Sequence, residues 1–464
     1  MSPDPQNKSI ITKLSIMMFL QFFIWGAWYV TAPNFLVTIG FGAEDFGWTY
    51  SVGPIAGMIT PLFVGMIADR FFPAQIVMGV MHLLGATFMF LATGYMDGNA
   101  SATTINWFFF GHMLSFYPTL ALTNTIAMKN MTNSEKQFPI VRVFGTAGWI
   151  VAGLSLSWFA FDNSINMFKI SASAAAILGV FSFMLPNTPP VKSDKKITAG
   201  ELLGLNALAL LKDRSYLIFM ISSILICIPL AFYYQMTSRI VQLVGLPIGQ
   251  TMSYGQMSEV LFMLVMPLFF ARLGIKKMLF LGMLCWVIRY ALFAIGTPQQ
   301  ISWMIIVGII IHGICYDFFF VTGQIYTDRV APEKLKGQAQ GLLVLLTLGV
   351  GMFIGAQVAS KVEAKYTPPV VAENGKMIQE LAIEIKSLTE STSTLQGAEL
   401  ENIEKEIATL SKQQGDLAMS NLKALNWKMI WGIPAVMALI VLIFFTLFFK
   451  EPQNADDPQA ELTH

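Results

Sequence analysis

Apolar runs long enough to cross a membrane recur along the chain, separated by short polar connections. A helix needs about 20 apolar residues to cross a bilayer core. The pattern predicts spans near 12–36, 46–68, 74–95, 104–128, 138–161 and 166–186, then 215–243, 249–271, 277–296, 301–326, 338–362 and 426–449. Between the two sets, residues 187–214 are Pro-rich, then Lys-rich, then weakly amphipathic over 199–211. The expected architecture is an all-α polytopic membrane protein of twelve transmembrane helices in two six-helix halves. Residues 1–186 form the N-terminal half, 187–214 a cytoplasmic linker and 215–464 the C-terminal half.

One segment falls outside the membrane plan. Residues 366–425 are polar, yet Ile378, Leu381, Ile385 and Leu388 step by three and four, and Ile403, Ile407, Leu410 and Leu417 recur at helical spacing. That periodicity predicts two amphipathic helices folded as an antiparallel hairpin, with Glu380, Glu384, Lys386, Glu404, Lys405 and Lys412 on its solvated faces. Such an insertion is a lid or a docking element for an unidentified protein partner, or it is inert. Lys and Arg crowd the even-numbered connections, as at Arg70, Lys129 and Lys136, Lys192, Lys195 and Lys196, Arg272, Lys276 and Lys277, and Arg329, Lys334 and Lys336. The short odd-numbered connections hold almost none. By the positive-inside rule both termini are cytoplasmic and the hairpin is extracytoplasmic.

Composition agrees and removes other classes. Hydrophobic residues make up 55% of 464 and charged residues 12%, with a mean hydropathy of +0.60; soluble domains carry about 25% charged residues. The net charge of +1, with no basic run interleaved with aromatics, excludes nucleic acid as a partner; lipid is the solvent. Cys227, Cys285 and Cys315 each sit alone in an apolar segment, which argues against a disulfide framework or a CxxC site. No HExxH, GxSxG or P-loop spacing occurs, so an enzyme, a cofactor and a metal are all unexpected. The polar Met1–Asn7 stretch, with no cleavage site after the first apolar run, reads as a retained span and not a signal peptide.

Charges inside spans carry the functional signal, because each costs roughly 2.5–3.5 kcal/mol at mid-membrane and must pair or line a cavity. Arg142, Glu259, Arg289, Asp317, His82 and His312 stand out, with His112 nearer a span end. Arg142, Thr146 and Trp149 share one stripe of the fifth helix, Gln256 and Glu259 one of the eighth, and Tyr316 and Asp317 are adjacent in the tenth. Gln21, Trp25 and Trp28 stripe the first helix, and Tyr117 with Asn124 the fourth. A cation and hydroxyl in one half facing carboxylates and an amide in the other suit a polar, hydrogen-bonding small solute. The aromatic rings would stack on a planar ring or on the apolar face of a sugar. Arg289 is expected either to pair with a carboxylate or to gate, and His82 and His312 to make interhelical hydrogen bonds.

The six-plus-six division around a basic linker resembles the major facilitator fold, whose site lies between the halves. Gly65-Met-Ile-Ala-Asp69-Arg70 and Ala271-Arg272-Leu-Gly274-Ile-Lys276-Lys277 look like degraded copies of its cytoplasmic-loop motif. Gly53-Pro-Ile-Ala-Gly57 and Gly351-Met-Phe-Ile-Gly355 fit close packing, within a half or between the second and eleventh spans that meet across the moving interface of such proteins. More specifically, the chain resembles the nucleoside–proton symporter family. The resemblance rests on Phe19-Leu-Gln21-Phe22-Phe23-Ile-Trp25-Gly26-Ala-Trp28, Tyr117-Pro118-Thr119 through Asn124-Thr125, Phe138-Pro139-Ile-Val-Arg142-Val-Phe-Gly145-Thr146-Ala-Gly148, Ser258-Glu259 and Asp317-Phe318-Phe319.

That resemblance implies proton-coupled symport of nucleosides across an inner (cytoplasmic) membrane, by alternating access around a central site. It places Arg142, Thr146 and Trp149, Gln256 and Glu259, and Tyr316 and Asp317 at the nucleoside, with Glu259 or Asp317 taking up the proton. The seventh helix departs from the family: Ala231 and Tyr234 stand where amide side chains are usual, with Gln235 adjacent. Tyr234 therefore joins the expected substrate site, and a sugar, glycoside or other polar metabolite remains the alternative substrate.

Overall fold

The computed structural model describes residues 5–60, 64, 71–190, 200, 205–394 and 396–451. The first loop-motif copy and Lys192, Lys195 and Lys196 of the linker lie outside these residues. All regular secondary structure among the described residues is helical.

The first span, Pro5–Gly26, ends against Trp149 and resumes after a turn as Ala32–Leu36. Pro33 opens that short helix, where a fixed φ helps and its missing N–H costs nothing. The second span is broken into Ala43–Thr49 and Val52–Thr60. Ala74–Gly94, Ala102–Lys129, Ser134–Trp158 and Asn166–Ser182 complete the first half. The seventh span is Arg214–Leu243, and the eighth and ninth form one stretch, Ile248–Gly296, that breaks at Gly274 (φ 68°). Side chains set several starts: Ser101 Oγ accepts from the Thr104 N–H at 3.2 Å, Asn133 Oδ1 from Lys136 at 3.1 Å and Asp213 Oδ1 from Tyr216 at 2.8 Å, each satisfying an orphan donor of the first turn.

The tenth and eleventh spans are not regular α-helices. The tenth changes to a π-helical turn at Asp317–Val321 before Thr322–Val330, and the eleventh at Leu345–Gly351 between Lys336–Val344 and Met352–Lys365. Such bulges cluster at functional sites, and both lie beside the central cavity described below. The twelfth span, Trp427–Phe448, ends near the second loop-motif copy. There the Ile275 N–H donates to Glu451 Oε1 at 3.1 Å and Lys276 Nζ to the Phe449 carbonyl at 2.8 Å, stapling the turn at Gly274 to the end of the twelfth span.

Within the first half, the first span packs on the fifth and sixth, the third on the fourth and sixth, and the second on the fourth. Within the second, the seventh packs on the eleventh and twelfth, and the eighth–ninth stretch on the tenth and twelfth. The glycine pairs serve this internal packing. Gly53 and Gly57 face Tyr117, and Gly351 and Gly355 face Cys227 and Ala231. Where the second and eleventh spans meet across the halves, Gly47 lies against Ser360 and Gly349 against Met58 instead.

The hydrogen bonds that cross between halves sit towards one face, the one bearing the helices Pro369–Ser391 and Ala398–Ala424. Asn34 Nδ2 donates to Gln242 Oε1 at 2.8 Å, Gln357 Nε2 to Ser51 Oγ at 2.8 Å, and the Gly249 N–H to Asp162 Oδ1 at 2.9 Å. The fifth and eighth spans touch backbone to backbone, since a Cβ on Gly153 would lie 2.7 Å from the Gly249 carbonyl oxygen. On the opposite, linker-bearing face no hydrogen bond or ion pair joins the halves among the described residues. The protein is thus closed on its hairpin face.

Candidate substrate site

A cavity of about 410 Å³ lies between the halves, within the roughly 300–1,000 Å³ range of small-molecule sites. Phe22, Trp25, Tyr29, Tyr117, Asn124 and Arg142 line it from the first half, and Tyr234, Tyr316, Leu345, Leu348 and Met352 from the second. A larger space of about 560 Å³ lies under the hairpin. Only the smaller one gathers Arg142 with aromatic side chains from both halves.

Arg142 is half-buried, with its guanidinium 4.3 Å from the centre of the Phe22 ring. It interacts electrostatically with Glu259 of the other half, though the two form no direct ion pair. Glu259 is half-buried and close enough to Tyr316 and Asp317 to act on both. This grouping follows from a close helix approach: a Cβ on Gly313 would lie 2.5 Å from the Ser258 carbonyl oxygen, and the Gly313 N–H donates to Ser258 Oγ at 3.0 Å. The tenth span is thereby drawn against the eighth, carrying Asp317 towards Glu259. Asp317 is fully buried, and neither carboxyl oxygen has a hydrogen-bond partner.

Of the residues picked from sequence, Trp25, Tyr117, Asn124, Arg142, Tyr234 and Tyr316 line the cavity, whereas Glu259 and Asp317 lie outside its lining. Trp149 meets it through Trp25, whose ring lies 5.2 Å away edge-on. Thr146 and Gln256 are half-buried and do not line the cavity. The stripe of Gln21, Trp25 and Trp28 divides. Gln21 donates to Thr119 Oγ1 at 2.8 Å and bonds His82 Nε2 at 2.8 Å, Trp25 faces the cavity, and Trp28 stacks on Phe109 in the core. His82 thus makes the interhelical bond expected of it. His312 instead stacks on Tyr233 at 5.0 Å, and its Nδ1 has no partner. Arg289 does not pair with a carboxylate: its guanidinium lies 4.5 Å from the Tyr233 ring centre, and none of its nitrogens is hydrogen-bonded.

Two features escaped the sequence. Tyr29 lines the cavity and meets Tyr234 across the halves at 5.6 Å; Phe22, Trp25 and Tyr29 step by three and four, the signal that would have found it. Arg239 and Glu363 form a buried bidentate pair, Nη1 to Oε1 at 2.6 Å and Nη2 to Oε2 at 2.8 Å. Both lie at span ends, where sequence alone reads a charge as solvated.

Twelve spans among the described residues, in two halves that enclose a polar and aromatic cavity shut on one face, define a membrane transporter of the major facilitator fold. The sequence model of the nucleoside H+ symporter family matches residues 8–378. The chain is 36% identical over 458 residues to YegT of Escherichia coli (strain K12), covering 95% of this chain and 94% of YegT. It is 32% identical over 376 residues to the nucleoside permease NupG of the same organism, covering 76% and 88%. The crystal structure of nucleoside transporter NupG superposes with a TM-score of 0.75 at 26% identity, covering 96% of this chain and all of that one. The chain belongs to the nucleoside H+ symporter family.

Proposed function

We propose that nucleoside–proton symport by this chain runs through the central cavity. Arg142, Tyr234 and Tyr316 meet the nucleoside first, and Thr146, Trp149, Gln256 and Glu259 complete the site as the halves close. Glu259 and Asp317 carry the proton. The observation that carries this reading is that Arg142 of one half shares a cavity with Tyr234 and Tyr316 of the other, beside an Asp317 whose carboxyl oxygens have no hydrogen-bond partner.

A ligand shifts a conformational balance only by its differential affinity for the two states. A nucleoside held between Arg142 and the second half favours the arrangement in which both sides touch it. An ionised carboxylate without a partner is costly in dry surroundings and a neutral one much less so, so proton occupancy at Asp317 governs how readily the cavity closes around it. The basic connections support an orientation with the linker face and both termini in the cytoplasm and the hairpin face outside, and the family resemblance supports a bacterial inner membrane.

The test is uptake of labelled uridine into proteoliposomes with and without an inward proton gradient, competed by adenosine, guanosine, free bases and simple sugars. Gradient-dependent uptake blocked by nucleosides is expected. Glu259→Gln and Asp317→Asn should each lose gradient-driven accumulation while keeping some exchange. Full accumulation by either variant removes that residue from the proton site, and competition by sugars but not nucleosides overturns the substrate.

A further inference from the structure

The hairpin is rooted in the second half. The Asn426 N–H donates to the Tyr366 carbonyl at 3.2 Å and Trp427 Nε1 to the Leu422 carbonyl at 2.7 Å, closing its base between the eleventh and twelfth spans. Asn374 Nδ2 donates to Asn421 Oδ1 at 2.8 Å, tying its two helices together. An inert insertion so attached would travel with the second half and touch nothing else.

It reaches the first half at two separate places instead. On the connection between the third and fourth spans, Lys386 pairs with Asp97, and Gln379 Nε2 donates to the Gly98 carbonyl at 2.7 Å. Gly98 has a positive φ of 85° and sits so close to the hairpin that a Cβ on it would lie 3.0 Å from Ala382 Cβ. After the first span, Gln414 Nε2 donates to the Thr38 carbonyl at 3.0 Å and to the Ile378 carbonyl at 3.2 Å, so one amide links the second hairpin helix to the first and to the other half. Beneath lies the 560 Å³ space, lined by the Arg239–Glu363 pair and by Phe46 of the first half. The Arg239 guanidinium is 4.9 Å from the centre of the Phe46 ring.

We propose that the hairpin is a latch, fixed to the second half and bound to the first, which holds the hairpin face shut and lets go each time the transporter opens to that side. The inference rests on the reading above that the halves move against each other. Any motion that parts them on this face carries Thr38, Asp97 and Gly98 away from Gln414, Lys386 and Gln379 together. The bonds use side chains that swing clear and reattach, and the pair is partly exposed, with side-chain accessibilities of 38% for Lys386 and 17% for Asp97. Exposed pairs of this kind are weak, which suits a contact broken in every cycle.

The test joins the latch covalently. Asp97→Cys and Lys386→Cys, bridged by a short reducible bis-thiosulfonate in the reconstituted full chain, should stop nucleoside uptake, and reduction should restore it; each single-cysteine variant controls for the native thiols. Full-rate uptake by the bridged protein overturns the latch. A second readout needs no transport: alkylation of Phe41→Cys, on the wall of the space under the hairpin, by a maleimide in detergent. Its rate should rise several-fold with Asp97→Lys and fall back in the charge-swapped Asp97→Lys/Lys386→Glu protein. An unchanged rate in Asp97→Lys, or no recovery on swapping, sinks the latch. Failure of the unbridged protein to take up nucleoside counts against the functional reading alone.

Discussion

Neutralising the carboxylate of the buried Arg239–Glu363 pair should be among the most damaging single changes outside the central cavity. The two side chains are 3% and 5% accessible and joined at 2.6 and 2.8 Å, with Gln235 Nε2 adding a bond to Glu363 at 3.4 Å. Glu363→Gln preserves shape but leaves the guanidinium uncompensated in low dielectric, a loss of about 3–5 kcal/mol for a buried pair broken on one side. For a half of this size each kcal/mol moves the melting temperature by about 2–4 °C, so a fall of about 6–20 °C is expected. The assay is thermal unfolding in detergent at one fixed scan rate, since membrane protein unfolding is commonly irreversible and then reports a rate. Arg239→Met/Glu363→Gln removes the stranded charge and should recover most of the loss. A Glu363→Gln protein within a degree or two of the parent, or a double variant no more stable than the single, would refute the claim that charge compensation is what this pair supplies.

Gly153→Val puts a branched side chain where even a Cβ would meet the Gly249 backbone at 2.7 Å; it should wedge the halves apart on the hairpin face, raising alkylation at Phe41→Cys and stopping accumulation. Asp162 bonds the Gly249 N–H across the halves, and burial raises its carboxyl above the ordinary value, against hydrogen bonds from Gly249, Ser157 and Ile248 that lower it. A group raised in the closed state stabilises closure fully below its open-state value, about 3.9, and loses that contribution as pH rises through the closed-state value. Opening of the hairpin face should therefore increase with pH above about 4, and Asp162→Asn, which keeps an oxygen acceptor, should flatten the slope; a variant with an unchanged slope refutes this. Tyr234→Ala removes the ring that meets Tyr29 at 5.6 Å. Tyr234 also lines the cavity, and with its stacking on the nucleoside worth about 0.5–1.5 kcal/mol, KM for the nucleoside should rise about two- to tenfold, as competition curves would show.

What the sequence made legible follows from how strongly each feature is over-determined. Hydropathy marks spans because lipid tolerates no unsatisfied backbone, so the membrane plan was readable even though the second span breaks at Tyr50–Ser51, and the eighth and ninth spans part at Gly274, inside the connection the pattern marks. The central residues were readable in part for the same reason: a charge such as Arg142 or Asp317 stands out against an apolar run. What a periodic pattern cannot give is which face of a helix meets which neighbour. Trp28 and Trp25 sit on one stripe, yet the first span ends at Gly26, between them, and the turn sends Trp28 into the core beside Phe109 while Trp25 stays on the cavity. The glycine pairs were legible as packing motifs but not as packing partners, since the same small surface accepts Tyr117 or Ala231 as readily as a helix of the other half. Least visible were groups whose meaning is a long-range pairing: Arg239 with Glu363, and Gln379, Lys386 and Gln414 with a half of the molecule that lies some 280 to 380 residues earlier. On a solvated amphipathic helix these residues carry no local signal. Only a fold that sets the hairpin over the seam between the halves turns an unremarkable glutamine and lysine into contacts that the transport cycle has to break.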